Sequence, residues 1–230
     1  MTNPYMGRPR PSAEPAAEPL DHDPVLGSAL AARGPQAPPL SLPPGAPGLG
    51  SSPVSGGEQP LLWLVGVHGG CGVSTVRSLF AAPERVRESS VWPVPAEAAE
   101  SRRSRVVLVA RTHARGVDAL VRAAAQWAGG TFPGVDLVGT VLVADGPRPT
   151  KAQEGQLRRA TSLTPTTWHV GWQESWRALT ADDPRPLPVR VRLTVAAITR
   201  KASALRDAER ATRANAEDHT DSTGPTRKAG

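Results

Sequence analysis

Residues 61–67, LLWLVGV, form an unbroken apolar run after Pro60, the pattern of a strand buried on both faces and hence of a parallel sheet. Residues 105–110, RVVLVA, and 137–143, LVGTVLV, repeat it, each bounded by polar residues, Gly or Pro. Between them Val117, Leu120, Val121, Ala124 and Trp127 recur at three- and four-residue spacing until Gly129–Gly130 stop the pattern, which predicts an amphipathic helix. Strand, helix, strand in this order is a βαβ unit, and its crossover is expected to be right-handed. A further helix around Ala152–Ala160 and a short strand TTWHV at 166–170 extend the series. The segment from Ala82 to Ser104, with Pro83, Pro93 and Pro95, reads as an irregular surface loop with a short helical turn at Ala96–Arg102. Val191, Val195, Ile198, Ala202 and Leu205 alternate at steps of four and three, predicting one amphipathic helix over about 188–210.

Composition then sets the boundaries. Thirteen of the 25 prolines precede Glu58, in a stretch without strand or helix periodicity that cannot bury enough surface to offset its ordering entropy. The expected organisation is a disordered tail over 1–58, an α/β domain over 59–185, a basic amphipathic helix over 186–212 and a disordered tail over 213–230. The fold class expected is α/β: three layers around a small, mostly parallel sheet, with a long N-terminal tail and a C-terminal helix. Of the net charge of +6, the excess concentrates from Arg185 onward, where ten basic residues meet five acidic ones. That end can face nucleic acid or an anionic membrane, or be only a solvated helix and tail. Cys71 is the only cysteine, which excludes an internal disulfide and a CxxC metal cluster and suits a reducing cytoplasm. No apolar run approaches the roughly 18–20 residues that span a bilayer, so no transmembrane segment is expected.

The segment with the most chemistry is Val67, His68, Gly69, Gly70, Cys71, Gly72, Val73, Ser74, Thr75, lying directly after a buried strand and before VRSLF. Glycines there let consecutive backbone N–H groups curl around phosphate oxygens. The segment HGGCGVST resembles the phosphate-binding loop KGGxGK[ST][ST] of the deviant Walker A ATPases of the ParA/MinD type. The resemblance implies a P-loop-like fold in which His68 to Thr75 hold ATP or another nucleotide, with Ser74 on Mg²⁺. It also carries departures: His68 stands at the first lysine position and Val73 at the second, and RVVLVA runs into Ala110, Arg111 and Thr112 where the family places an acidic residue. Valine supplies neither charge nor donor for the β- and γ-phosphates, and without a carboxylate for the metal, phosphoryl transfer loses most of its electrostatic stabilisation.

Asp145, after LVGTVLVA at a strand's C-terminal end, is the remaining carboxylate for the site, although Asp145–Gly146–Pro147 also reads as a turn. Arg111, Thr112 and His113 stand at the equivalent end of the preceding strand and can add positive charge, or Thr112 can simply cap the next helix. Trp168, Trp172 and Trp176, four residues apart, are read as core residues or as a recognition surface. The first functional expectation is a non-hydrolysing, cytoplasmic pseudo-ATPase: a nucleotide- or phosphate-binding regulatory module with ATP and Mg²⁺, or no cofactor at all. The second is a protein-interaction or assembly factor of a plasmid-maintenance, conjugation or cell-surface system, working through a protein partner, nucleic acid or an anionic membrane at the C-terminal basic helix. The third is an ATPase completed by a partner subunit or by Arg111 or Arg115.

Overall fold

The computed structural model describes residues 48–55, 60–96, 103–178 and 187–221. Among the described residues, strands β1 (Ser51–Val54), β2 (Leu62–Gly66), β3 (Val86–Ser89), β4 (Trp92–Pro95), β5 (Ser104–Arg111), β6 (Val135–Val143) and β7 (Thr167–Val170) are interleaved with four α-helices. These are α1 (Val73–Arg77), α2 (Ala114–Ala128), α3 (Lys151–Thr161) and α4 (Val189–Asp221). Short 3₁₀ turns occupy Pro83–Arg85 and Glu174–Ala178.

Five strands form one wholly parallel sheet in the order β3-β2-β5-β6-β7. Parallel strands need a crossover between neighbours, and here the crossovers divide between the two faces of the sheet. Leu62 and Leu64 of β2 and Val107 and Val109 of β5 point into a core shared with Val76 and Leu79 beside α1 and with Val191, Ile198 and Ala202 of α4. The alternate residues Trp63, Val65, Val106 and Leu108 meet Val117, Leu120 and Ala124 of α2 and Ala160 of α3. The protein is therefore α/β in three layers, with a C-terminal helix closing one face. In β6 the register slips between Leu137, opposite Val106, and Gly139, opposite Val107, so Val138 is an extra residue. Gly139 is needed there because a Cβ would lie 2.4 Å from the Thr166 carbonyl oxygen and 2.5 Å from the Trp168 ring.

Two expectations are corrected by pairing that hydrophobic runs do not reveal. The segment read as an irregular loop over 82–104 carries β3 and β4; the helical turn expected at Ala96–Arg102 lies almost wholly outside the described residues. The segment read as tail over 1–58 contains β1, which pairs in parallel with β4; residues 1–47 and 56–59 lie outside the described residues. Leu49 N–H donates to Gln126 Oε1 at 2.9 Å, Gln126 Nε2 donates to the Leu49 carbonyl at 3.2 Å, and Trp92 is fully buried against Phe132. A polar side chain of α2 thus replaces apolar periodicity as the anchor of this ribbon.

Helix α4 also outruns its expected end near residue 210 and continues to Asp221, into the stretch read as tail. Its anchor is Glu209, which accepts from Arg105 Nη1 at 2.7 Å and from the Arg103 backbone N–H at 3.0 Å, with Arg213 one turn further on at 3.6 Å. Arg105 is only 4% exposed, and also donates to the carbonyls of Leu61 at 3.1 Å and Pro60 at 3.2 Å. Burial pulls its guanidinium below the usual range, with the Glu209 charge opposing that fall, and the pair joins β5 and the chain entering β2 to α4. Removing one partner of a buried pair strands the other charge in low dielectric. Glu209→Ala should lower unfolding free energy by on the order of 3–5 kcal/mol, and Glu209→Gln, which keeps an acceptor, by less; denaturant titration of the two variants checks this order.

Candidate functional site

An open parallel sheet has a crevice beyond the carboxyl ends of its strands wherever consecutive connections leave to opposite faces. In this order that point lies between β2 and β5: the chain after β2 turns to α1 on one face, and the chain after β5 turns to α2 on the other. The glycine loop after β2 and the segment Arg111–His113 after β5 are the two walls.

The loop divides its residues by side. Gly70 (φ 72°) and Gly72 (φ 92°) adopt left-handed backbone, which lets the chain reverse and leaves Gly69, Gly70 and Ser74 exposed. Cys71 is buried, and Val73 packs against the same core. A Cβ on Gly66 would lie 2.8 Å from both Cys71 Sγ and Val73 Cγ2, so the glycine ending β2 makes room for these inward side chains. Val73, at the position of the resemblance's second lysine, is thus a packing residue. Helix α1 has five residues, one short turn and a half, and contributes little dipole.

His68 crosses the crevice. Its Nδ1 is 2.8 Å from the Gly69 carbonyl, and its Nε2 accepts the Arg111 backbone N–H at 3.2 Å. Both contacts are satisfied together by the neutral ring with the proton on Nδ1. The His113 ring lies 5.0 Å away, and its Nδ1 accepts from Gly116 N–H at 3.0 Å, capping α2. The cap of α2 is therefore His113, and Thr112 Oγ1 instead accepts from the Asp145 N–H at 3.0 Å. Arg111 reaches across the loop: Nε donates to the Gly70 carbonyl at 3.0 Å, and Nη1 lies 3.3 Å from Asp145 Oδ1. The structure thereby joins His68, Gly69, Gly70, Arg111, Thr112, His113 and Asp145 at one crevice. Thr75, half-buried, shares its carbonyl with the Ser78 hydroxyl. Trp168 and Trp176 are packed on the core of the α1 and α4 face, and Trp172 is half-buried.

One residue escaped the sequence reading. Ser74 Oγ donates to Glu88 Oε2 at 2.8 Å, and Arg77 Nη1 is 3.6 Å from Glu88 Oε1. The resemblance puts an acidic strand end after RVVLVA, on one side of β2; the carboxylate stands on β3, on the other side. Its signal is the short alternation VRES, which three nearby prolines obscure. No group of three or more metal-ligating side chains occurs among the described residues. Ser74 and Glu88 alone suit only a cation that brings other oxygens, as Mg²⁺ on a phosphate does.

Two outcomes follow for the loop's internal packing. Burial raises the Cys71 thiol above its ordinary range, with backbone N–H groups and Arg111 opposing that rise more weakly. Cys71 should therefore react with a disulfide reagent at least tenfold more slowly in the native protein than in denaturant, which a colorimetric thiol assay reads. In Gly116→Ala the new methyl would stand 2.3 Å from the Arg111 carbonyl oxygen and 2.9 Å from His68 Nε2. That overpacking should cost about 1–3 kcal/mol and displace the His68 ring, visible in the imidazole NMR resonances.

No curated protein and no solved structure matches the chain. A family description does match, over residues 60–195, from the start of β2 into the first turns of α4 and so across the whole crevice. The chain belongs to that family, a family of unknown function designated DUF6668.

Proposed function

We propose that the crevice between β2 and β5 binds the phosphate of a nucleotide, or another phosphate, and that the protein is a non-hydrolysing regulatory module. The observation that carries this reading is the placement of Arg111: its guanidinium is fixed over the exposed glycines by the Gly70 carbonyl, at the strand-order reversal where open α/β sheets take ligands. Arginine offers a forked set of donors that suits phosphate oxygens, and charged hydrogen bonds are roughly twice as strong as neutral ones. The cation comes from the neighbouring strand, because Val73 faces the core.

Asp145 holds one arm of Arg111, Nη1, yet both side chains are more than a third exposed, 35% and 42%. Such pairs contribute about 0–1 kcal/mol, so an entering phosphate displaces the carboxylate at little cost. A Mg²⁺ arriving on a nucleotide would meet Ser74 and Glu88. Hydrolysis is not part of the reading: no lysine of the loop reaches the phosphates, and Arg77 already engages Glu88.

Titration calorimetry with ATP, ADP, GTP and inorganic phosphate, with and without Mg²⁺, tests the proposal. Binding should weaken about 10–100-fold in Arg111→Ala, as expected for the loss of charged hydrogen bonds, and tighten up to about fivefold in Asp145→Asn, which removes the competing carboxylate. Absence of binding to all four ligands overturns the site. Tight ATP binding accompanied by turnover overturns the non-hydrolysing assignment.

A further inference from the structure

The large hydrophobic side chains exposed among the described residues are Leu187, Val189 and Leu193, at 37%, 60% and 64%; Leu187 lies just before α4 and the other two in its first turns. Val191, Val195, Ile198 and Ala202 of the same helix face the core, and on the helical wheel Val189, Leu193 and Ala196 fall on the opposite side. A helix that needs only one apolar stripe to hold the fold thus carries a second, facing water. Exposed arginines flank that stripe: Arg190 on one side, Arg192 on the other and Arg200 at its end. None of the three has an ion-pair partner among the described residues. From Leu187 to Arg206 the sequence holds Arg190, Arg192, Arg200, Lys201 and Arg206 and no acidic residue.

We propose that this outer face of α4 docks the protein on an anionic membrane surface, its aliphatic side chains entering the headgroup boundary and its arginines meeting lipid phosphates. Aliphatic centre and cationic flanks on a single helix are the pattern that lies in a bilayer interface. Nucleic acid accounts for the arginines and not for Leu193 and Val189, which would stay in water against a phosphate backbone. A second copy accounts for the aliphatic residues and not for the charge, since pairing this acid-free segment with itself sets arginine against arginine. The aliphatic stripe also ends after two turns, at Ala196, whereas a stable protein interface takes roughly 20–30 residues from each side. A lipid surface sets no such minimum. The inference does not depend on the crevice at the carboxyl ends of β2 and β5.

Flotation of the full chain with vesicles of phosphatidylcholine and phosphatidylglycerol in equal parts, and with phosphatidylcholine alone, tests it. The protein should float with the anionic vesicles, remain behind with the neutral ones, and be released by high salt. Partitioning should fall about a hundredfold in Arg190→Gln/Arg192→Gln/Arg200→Gln, at about a fivefold loss per basic residue, and should be lost in Leu193→Ser. Leu193 is mostly exposed, so unchanged circular dichroism and melting certify that the variant is folded. Failure to float with anionic vesicles overturns the proposal, as does equal flotation with neutral ones or indifference to Leu193→Ser. A dimer in sedimentation velocity that Leu193→Ser abolishes, without flotation, gives the face to a second copy and also overturns it. Retention on duplex DNA without flotation gives it to nucleic acid, with the same result.

Discussion

Strands β2 and β5 are buried on both faces, and the architecture is the answer to that constraint. A strand with Leu64 on one side and Val65 on the other cannot sit on the surface of a two-layer fold; it needs apolar cover above and below. The chain meets the need by sending the connection after β2 to one face and the connections after β5 and β6 to the other. The strand order must then reverse, and the reversal leaves a crevice at the carboxyl ends. The place where a ligand could enter is a consequence of covering the core.

That origin explains why the loop residues are split between two duties. Cys71 and Val73 finish the core that Leu62 and Leu64 begin, and Gly66 leaves them the space. Gly69, Gly70 and Ser74 remain on the outside because Gly70 and Gly72 take left-handed backbone that other residues rarely adopt. Here valine belongs to the packing, and the guanidinium over the glycines comes from β5. The glycine spacing alone therefore reports backbone shape, while the chemistry depends on what the adjacent strand supplies.

Periodicity made the interior legible. The three apolar runs became β2, β5 and β6 within a residue or two, because a strand buried on both faces has little alternative to apolar residues along its length, and the short TTWHV became the edge strand β7. Helix α2 was legible for the complementary reason, a single apolar face that Gly129–Gly130 stop, and the helix expected around Ala152–Ala160 is α3, whose start the structure fixes with a Thr150–Gln153 capping box. Strands β1, β3 and β4 were not. They are four residues each, contain or adjoin prolines, and owe their order to pairing with a partner elsewhere in the chain and to the side chain of Gln126. Glu88 was missed with them, since a carboxylate can be recognised as a strand-end residue only once the strand is. The reach of α4 past Leu205 was hidden similarly: beyond that point it is held by Glu209 and Arg105, more than 100 positions apart, where no local pattern records the attraction.

The two ends of β5 show how burial alone assigns different duties to the same chemistry. Arg105 pairs with Glu209 at its start and Arg111 with Asp145 at its end. At the start the arginine is withdrawn from water, two further carbonyls accept from it, and loss of the carboxylate would leave a charge with no solvent to receive it. This pair is a fastener, closed once when α4 docks. At the end both groups stay wet, the attraction is screened, and exchange of one anion for another is nearly free. Such a pair cannot hold a fold together, but it keeps a guanidinium oriented and available. The strand that carries both needs seven residues to pass from one regime to the other, from the closed edge of the sheet to the edge where the chain parts. Arg111 is suited to receive a ligand because the core, fastened at Arg105, asks nothing of it.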